Sequence, residues 1–492
     1  MDRRQWLQCS AAMAGVSVTG GAVGIGRSDD RPEGALEIGS RRELFIDRFL
    51  VDRLGGAASF ALARPRDEGV ALAFDRPWEG AFCGYATVLQ DDGRYRLYYR
   101  GLPKSGRDGS ADEVTCYAES TDGRSWDRPE LGLFAYEGSR ANNLVLADQA
   151  PFSHNFCPMI DPRPGVAADA RYKALAGTGR TGLWAFTSPD GLRWDRVGEG
   201  PVISDGAFDS QNVPCWSEHE GRYLCYFRVF KDGFRRVART TSADFLDWNG
   251  PELMTYDDDR PIEHLYTNQT SPYFRAPHLN VGIAARFMPG RRVISAEQAE
   301  EIGVDPGYFN DCSDAVLLTT RGGSVYDRTF MEGFLVPGIG PENWVSRTNY
   351  PALNVVQTGE DEMSFYANQN YGQPTAHLRR YSLRLDGFAS IRAGYDGGEV
   401  ITRPMIADGD ALLLNFETSA AGGIRVEVQD AEGAPLPGFA LDDAVETIGN
   451  EIERPVFWEG GSDVSSLAGR PIRLRFVLKD AAVYALRFRG RA

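Results

Sequence analysis

STDGRSWDRP occupies residues 120–129, and SPDGLRWDRV repeats the same pattern at residues 188–197. A looser third copy, SADFLDW, occupies residues 242–248. In such a turn the Asp accepts backbone N–H groups, the Gly supplies a positive φ, and the Trp folds back as an apolar plug. We therefore interpret six residues as structural staples of the outer strands of β-sheets: Asp122, Gly123, Trp126, Asp190, Gly191 and Trp194.

Each turn closes a longer unit of alternating strands. The strands that open on Arg-Tyr are DDGRYRLYYRG (91–101), DARYKALAG (169–177) and EGRYLCYFRVF (220–230). Two more degenerate units follow, one built from 271–287 with 313–328 and one from 349–372 with 376–388. Five sheet units spaced by about 50 to 80 residues predict an all-β, five-bladed β-propeller, in which radial packing covers the edges of each blade.

The remaining segments complete the predicted architecture. SAEQAEEIG, from Ser295, predicts a helix with a Ser/Gln capping box, inserted in blade four. LFIDRFLVDR (44–53) alternates like a strand and is expected to close the ring by completing the last blade. From about residue 396 the chain has alternating strands and Gly-rich turns without the turn signature, which predicts a C-terminal β-sandwich. The predicted domains are an export signal (1–30), a propeller (31–395) and a sandwich (396–492).

Charge and the N-terminal segment bear on location and partners. The formal net charge of -16 and the pI near 5.0 argue against nucleic acid or an anionic membrane as the main partner. MDRRQWLQCSAAMAGVSVTGGAVGIG is similar to a twin-arginine export signal, with Arg3 and Arg4 ahead of a weakly apolar run. No other stretch approaches the length of a membrane span. We expect a protein exported in the folded state to the periplasm or beyond; its oligomeric state stays open.

The cysteines do not indicate a metal site. Six of them follow the export signal, and none forms a C-x-x-C pair. They are expected to be buried small hydrophobes, although one disulfide stays open in an oxidising compartment. No cofactor and no metal cluster is predicted, and a structural calcium ion in the central channel is left open.

In a propeller the loop that precedes the first strand of each blade brings side chains to one mouth of the channel. We call these the leading loops. In all five they combine acids, amides, His, Arg and aromatic residues, a mixture suited to carboxylate acid/base chemistry and to sugar recognition. Sugar stacking on Trp126 or Trp194 is a weaker alternative. The binding candidates are His154, Asn155, Asn212, His264, Tyr266, Trp344 and Arg347.

The chain resembles the five-bladed-propeller glycoside hydrolases related to families 32, 43 and 68, and in particular uncharacterised family-32-like proteins of planctomycete-type bacteria. The resemblance is carried by ELFIDRFLVDR (43–53), CYAESTDGRSWDRPELG (116–132), FDSQNVPCW (208–216), EHLYTN (263–268) and LLLNFETSAAGGIRVEVQDAEGAPLPGF (412–439). It covers nearly the whole chain after the signal. It implies hydrolysis at a glycosidic carbon by three acids.

The resemblance implies roles for three carboxylates, drawn from the leading loops. We expect Asp209 to act as base or nucleophile, Glu263 as proton donor and Glu79 as the third acid. Asp47 is an alternative catalytic acid, although a structural role near the point where the ring closes is favoured for it. The chain departs from the characterised families because it lacks their acidic motifs in the expected order; MIDP (159–162) is the nearest match.

The leading interpretation is an exported glycosidase that acts on plant or algal poly- or oligosaccharides. One alternative is a carbohydrate-binding propeller without catalysis. Another is a glycoside phosphorylase on the same fold, for which Arg347 and Arg228 would supply the phosphate site. A sialidase would need an Arg triad with a Tyr/Glu pair, and five units rather than six count against it. Sugar, linkage, anomer and stereochemical outcome stay open.

Overall fold

The computed structural model describes residues 34–490, which are almost entirely β-structure. Three four-stranded antiparallel sheets form blades 1, 2 and 3. Blade 1 contains Gly84–Asp91, Arg94–Gly101, Val114–Ser120 and Leu144–Leu146. Blade 2 contains Cys157–Ile160, Tyr172–Thr178, Gly182–Ser188 and Asp195–Val197. Blade 3 contains Val213–Ser217, Arg222–Lys231, Phe234–Ser242 and Glu252–Leu253.

Blades 4 and 5 have interrupted inner strands. Blade 4 contains Leu265–Thr267, Thr270–Tyr273, Ala276–Met288 and Cys312–Thr320, beside a small parallel pair formed by Thr255–Tyr256 and Val325–Tyr326. Blade 5 contains Tyr350–Pro351, Val356–Gln357, Glu362–Gln369, His377–Arg384 and Arg66–Ala73. The predicted five-bladed β-propeller is confirmed.

The strand that closes the ring is not the one expected from the sequence. Arg66–Ala73 pairs antiparallel with His377–Arg384 and completes blade 5. The predicted closing segment, 44–53, contributes instead to a separate ten-stranded sheet. That prediction was wrong because both segments alternate, and alternation does not identify a strand's partner.

The ten-stranded sheet combines both ends of the described chain. Its strands are Leu36–Gly39, Glu43–Leu44, Val51–Gly56, Ser59–Leu62, Ala389–Ala393, Gly398–Thr402, Met405–Ala407, Ala411–Asp430, Asn450–Pro455 and Pro471–Arg489. They enclose their own core, which includes Phe45, Phe416, Trp458 and Phe476. A C-terminal β-sandwich with a boundary at residue 396 stays a prediction, and the observed pairing adds residues 36–62 to the same sheet.

The repeated turn behaves as its sequence predicts. In the second copy, the Ser188 hydroxyl accepts the N–H of Gly191 at 2.8 Å. The Asp190 carboxylate accepts the N–H groups of Leu192 and Arg193 at 2.8 Å each. Gly191 has φ 75°, and the Trp194 ring packs edge-on against Phe156 with centroids 4.9 Å apart. Tyr98 of blade 1 donates to the Gly191 carbonyl at 3.0 Å. The turn therefore fastens blade 2 to blade 1.

The middle of the channel is crossed by neutral polar groups. Gln211 of blade 3 donates to the Thr87 hydroxyl at 2.7 Å, and Gln269 of blade 4 donates to the Gln211 amide oxygen and to the Pro351 carbonyl at 2.7 Å each. Beyond them lies a largely apolar cavity of about 250 Å³. The opposite end of the channel is the end where the first strands of the blades begin; we call this end the mouth.

The helices are short. The α-helix Ala296–Glu301 has the predicted Ser295/Gln298 capping box and lies in an insertion within blade 4. The 3₁₀ helices are Ala168–Ala170, Pro341–Trp344 and Ser465–Leu467. None of the helices in the described part of the chain is long and apolar enough to cross a membrane. The cysteines of residues 34–490 are buried and unpaired, as predicted. The export signal lies outside the described residues.

Candidate functional site at the propeller mouth

Several residues where the inner strands begin have a strained backbone conformation. Tyr85, Asn155, Arg347 and Asn349 all have φ between 51° and 67°, although none of them is glycine. A residue with a side chain in this left-handed region costs roughly 1–3 kcal/mol, and such residues cluster at functional sites. The chain holds these four side chains at the mouth despite that cost.

Four guanidinium groups lie at the mouth; we call Arg100, Arg228, Arg235 and Arg347 the arginine cluster. Arg100 and Arg228 stand near the ends of the second strands of blades 1 and 3 and are 4% and 2% exposed. Arg235 begins the return of the blade 3 hairpin, and Arg347 lies in the leading loop of blade 5. A protein of net charge -16 thus presents a local cationic surface.

The cluster is organised by tyrosine rings. The guanidinium carbons of Arg228, Arg235 and Arg347 lie 4.5, 5.4 and 5.3 Å from the centroid of the Tyr266 ring. Arg100 lies 4.6 Å from the Tyr85 ring centroid. Burial raises the pKa of the Tyr266 phenol, but the surrounding guanidinium groups, Arg347 first, outweigh burial and hold its pKa below the ordinary value.

Asp209 supplies an accessible carboxylate at the mouth. Its side chain is 39% exposed and forms an ion pair with Arg228, whose own side chain is 2% exposed. The Tyr85 hydroxyl donates to the Asp209 backbone carbonyl at 3.5 Å, which joins the leading loops of blades 1 and 3. A half-exposed carboxylate held by a buried guanidinium has a fixed position and can still reach a ligand.

A buried acid–imidazole pair lies beside it. His154 Nδ1 is 3.0 and 2.9 Å from the two carboxylate oxygens of Glu113, and Arg100 lies 3.8 Å from the same carboxylate. The ring of His154 is 6.4 Å from that of Tyr85. The Nε2 atom of His154 is buried and has no hydrogen-bond partner among the described residues. The carboxylate orients the imidazole, and the hydrogen-bonding capacity of the enclosed Nε2 atom is not used within the described chain.

Other polar atoms in the leading loops are buried and unpartnered within the described chain. They are both side-chain polar atoms of Asn155, Ser210 Oγ, Asn212 Oδ1 and the Tyr350 hydroxyl. Most buried polar groups in folded proteins have a hydrogen-bond partner, so each exception needs an explanation. Ordered water or the hydroxyl groups of a bound ligand would provide such partners.

Three side chains around His154 have possible metal-ligand atoms close to one another. Asp108, Glu113 and His154 place ligand atoms within 4.8 Å of one another. His154 Nδ1 is already engaged by Glu113, and Asp108 is exposed. The channel beneath the mouth is crossed by the neutral amides of Gln211 and Gln269, whereas calcium prefers carboxylate oxygens. The calcium ion that the sequence leaves open in the channel is not predicted by these residues either.

The mouth brings together six of the sequence candidates. Asp209, Tyr266 and Arg347 are linked through Arg228 and the Tyr266 ring, as described above. His154 approaches them through Tyr85. Asn155 and Asn212 are close in sequence to His154 and Asp209 and carry unpartnered polar atoms.

The other two predicted catalytic acids lie in ion-pair networks away from this cluster. Glu79 is fully buried, accepts from the Tyr99 hydroxyl and pairs with Arg128 at 3.1 Å; burial raises its pKa. Glu263 pairs with Arg286 at 2.7 Å and with the fully buried Arg328. Among the described contacts, neither carboxylate touches Asp209 or the arginine cluster. Both carboxylates form structural ion pairs within the propeller.

Three further sequence candidates, His264, Trp344 and Asp47, make local structural contacts. His264 Nδ1 accepts the backbone N–H of Arg235 at 3.2 Å, so His264 helps to position the backbone of one member of the arginine cluster. Trp344 donates to the Gly338 carbonyl at 3.2 Å and packs in the apolar cluster of the blade 4 insertion. Asp47 pairs with Arg321 at 3.1 Å.

No family model matches the chain, and no curated protein matches it. The similar solved structures include a family 43 arabinoxylan arabinofuranohydrolase from Bacillus subtilis, 12% identical over 85% of this chain and 97% of that one, with a TM-score of 0.38. A family 32 β-fructofuranosidase from Bombyx mori is 10% identical over 87% and 94%, with a TM-score of 0.38. A β-1,2-mannobiose phosphorylase from Listeria innocua is 10% identical over 66% and 97%, with a TM-score of 0.40.

These structures include members of glycoside hydrolase families 43 and 32, two of the families that the sequence resembles. At such identities no activity is transferred from them, and the function is argued from the mouth itself.

Sequence reasoning missed Arg100, Glu113 and Arg235, since it searched only the leading loops. Arg100 and Glu113 lie where the second and third strands of blade 1 reach the mouth. A signal was present: GRYRLYYR (93–100) and GRYLCYFR (221–228) place an Arg at the same position of two repeats.

Proposed function

We propose that the protein is a carbohydrate-active enzyme that cleaves glycosidic bonds at the propeller mouth, by hydrolysis. One observation carries the proposal: the half-exposed Asp209 carboxylate, fixed by buried Arg228, lies among tyrosine faces and buried amides with unused hydrogen-bonding capacity. Sugar sites combine a carboxylate, aromatic faces and planar amides. A site for neutral, nonpolar ligands would have no use for these polar atoms.

In this proposal Asp209 acts on the reacting carbon, directly or through a water molecule. His154, held by Glu113, is the second ionisable group of the proposed site. Its Nε2 atom is buried, so proton exchange with the departing oxygen would require the surrounding side chains to move when the substrate binds. Glu79 and Glu263 are left out because their side chains are 0% and 17% exposed within ion-pair networks away from the arginine cluster, whereas the Asp209 side chain is 39% exposed. Polysaccharides or oligosaccharides of plants or algae are the proposed substrates.

The test is release of reducing ends from a broad glycan panel by the wild-type protein and by Asp209→Asn. Asp205→Asn is the matched control, because Asp205 is an exposed acid in the same leading loop. Loss of a carboxylate in general acid–base chemistry costs about 10²–10⁴-fold in rate. We expect that loss for Asp209→Asn and none for Asp205→Asn. Asp209→Asn should stay folded but melt lower, because buried Arg228 loses its ion pair, whereas Asp205→Asn should melt like the wild type.

A second variant separates chemistry from folding. Asp209→Ala removes the carboxylate, and added formate or azide should partly restore the rate by occupying the vacated space. Equal activity of the Asp209 and Asp205 variants would refute the proposed role. Binding of glycans without release, unchanged in both variants, would favour the non-catalytic carbohydrate-binding propeller instead.

We also propose that residues 1–30 direct export of the folded protein through the twin-arginine route. The support is the Arg3–Arg4 pair ahead of a weakly apolar run. Replacement of both arginines by Lys should retain the protein inside the cell, and unchanged export of that variant would contradict the proposal.

A further inference from the structure

We propose that Arg235 and Arg347 bind an oxyanion carried by the substrate, which makes the substrate an acidic glycan bearing carboxylate or sulfate groups. This inference rests on the proposed function and names the substrate class for the same site. Its basis is the unequal pairing of the four arginines at the mouth.

Two members of the arginine cluster have a carboxylate partner and two do not. Arg228 pairs with Asp209, and Arg100 lies 3.8 Å from Glu113. Within residues 34–490, no carboxylate oxygen lies within 4.0 Å of the guanidinium nitrogens of Arg235 or Arg347. The mouth therefore carries more positive than negative charge, in a chain whose net charge is strongly negative.

The polar contacts of these two side chains are also incomplete. The one side-chain hydrogen bond that Arg347 donates in the described structure goes to the Tyr371 hydroxyl at 3.5 Å, a long distance for such a bond. The Nε atom of Arg235 is buried without a partner among the described residues. A guanidinium has five N–H donors in a planar fork, so most of this capacity is unused.

Aromatic rings hold the two arginines in place without neutralising them. The Arg347 guanidinium lies 5.3, 5.0 and 5.7 Å from the ring centroids of Tyr266, Tyr308 and Tyr371. The Arg235 guanidinium lies 4.9 Å from the ring centroid of Phe287. Both arginines are half-buried, and stacking recovers only part of the hydration that such a cation loses. An oxyanion that accepts two parallel N–H bonds would recover the rest.

The surroundings favour an oxyanion fixed on a sugar over a free one. The tyrosine faces and the unpartnered Asn155 and Asn212 atoms next to the cluster suit a sugar ring and its hydroxyl groups. An acidic glycan would be repelled by most of the surface of this chain and attracted at the mouth. The local cationic surface would therefore also select where such a polymer binds.

The first experiment measures binding by isothermal titration with galacturonate, inorganic sulfate and inorganic phosphate as separate probes. The variants are Arg347→Met and Arg235→Met, and Arg347→Lys keeps the charge without the planar fork. Arg196→Met is the matched control, because Arg196 stacks 4.7 Å from the ring centroid of Trp184 with no carboxylate partner but lies outside the mouth. Melting temperatures verify that each variant folds.

We expect the wild-type protein to bind galacturonate or sulfate, with affinity at least tenfold lower in both Met variants, an intermediate loss in Arg347→Lys and no loss in Arg196→Met. Absence of oxyanion binding by the folded wild-type protein, or equal binding by Arg347→Met and Arg196→Met, would overturn the inference.

The second experiment measures cleavage of glycuronans and of the same polymers after chemical reduction of their carboxyl groups, and of sulfated glycans before and after desulfation. Preference for the charged form, lost in Arg347→Met, supports the inference. Cleavage of neutral forms alone would overturn the substrate class and leave the proposed function standing. Arginine-dependent binding without cleavage of any glycan would leave the oxyanion site standing and count against the proposed function.

Free phosphate is distinguished in the same assays. If phosphate were the bound oxyanion, its oxygen would bond to the anomeric carbon as the glycosidic bond breaks, and the departing oxygen would take a proton. Cleavage that requires added phosphate and yields a sugar 1-phosphate would overturn the acidic-glycan inference and assign the arginine cluster to a phosphorylase.

Discussion

Gly191→Ala tests whether the repeated turn fastens neighbouring blades. Gly191 lies in the blade 2 turn at φ 75°, and its carbonyl accepts a hydrogen bond of 3.0 Å from Tyr98 of blade 1. A Cβ atom built at this position would lie 2.6 Å from the Tyr98 hydroxyl oxygen and 3.2 Å from the Tyr172 ring. Tyr98 is buried in the blade interface, so the hydroxyl would have to leave its acceptor.

The expected cost has two parts. A side chain in the left-handed region costs about 1–2 kcal/mol. Loss of the partner of a buried hydroxyl costs about 1–3 kcal/mol more. Gly198→Ala isolates the first part, because Gly198 has φ 79°, is exposed, and has no atom within 4 Å of a built Cβ. The difference between the two variants therefore measures the contact between blades.

The assay is urea-induced unfolding of both variants, alone and in a Tyr98→Phe background. We expect Gly191→Ala to lower the unfolding free energy by about 2–5 kcal/mol and Gly198→Ala by about 1–2 kcal/mol. In the Tyr98→Phe background the cost of Gly191→Ala should approach that of Gly198→Ala, since the two substitutions then share one lost contact. Equal costs for both glycines in the wild-type background would refute the reasoning.

Three other predictions concern charge. The first tyrosine ionisation in an absorbance titration should occur below the ordinary tyrosine pKa, because guanidinium groups lower the pKa of Tyr266, and it should disappear in Tyr266→Phe; an unchanged titration would contradict this. Burial, with the nearby Asp47 carboxylate, raises the pKa of Asp327 to about 6, so the native state binds this proton more tightly than the unfolded chain does. The stability that protonated Asp327 contributes is therefore full below pH 3.8 and is lost as the pH rises through 6. Asp327→Asn should have a higher melting temperature than the wild type above pH 6 and an equal one near pH 4. A difference in melting temperature that does not change with pH would contradict this. Glu263→Gln should leave turnover nearly unchanged but lower the unfolding free energy by about 3–5 kcal/mol, because buried Arg328 loses its ion pair; a large loss of turnover with the fold intact would restore the catalytic role predicted from the sequence.

Much of the propeller could be predicted from the sequence because its signals are local. Three copies of the turn lie within residues 120–248, and each Asp makes the same pair of backbone contacts. Phe245, which replaces the Gly in the third copy, still adopts φ 78°. Ring closure was missed because it is not local: Arg66–Ala73 pairs with a strand that lies more than three hundred positions later in the chain. Alternation predicts that a segment is a strand and does not identify its neighbour.

The sequence predicted which segments reach the mouth but not which of their side chains meet there. The leading loops identify which residues approach the mouth, and Asp209, Tyr266 and Arg347 do meet there. They do not fix which side of the strand a residue faces. Glu263 precedes Tyr266 by three positions in one loop, yet its carboxylate pairs with Arg286 and Arg328. An odd offset along an extended chain reverses the face, so proximity in sequence does not bring the two side chains together.

The repeats themselves argue that the arginines serve the mouth rather than the fold. Arg100 and Arg228 stand six positions after the Arg of the Arg-Tyr pair in blades 1 and 3, and Gly177 stands at that position in blade 2. A Cβ atom at Gly177 would lie 2.0 Å from the Gly182 carbonyl oxygen, so blade 2 excludes any side chain there. A blade therefore folds without a cation at this position. Arg100 and Arg228 are paired there with Glu113 and Asp209, which offsets the cost of burying a guanidinium. We interpret their presence in two of the blades as a feature of the mouth that the blade fold itself does not require.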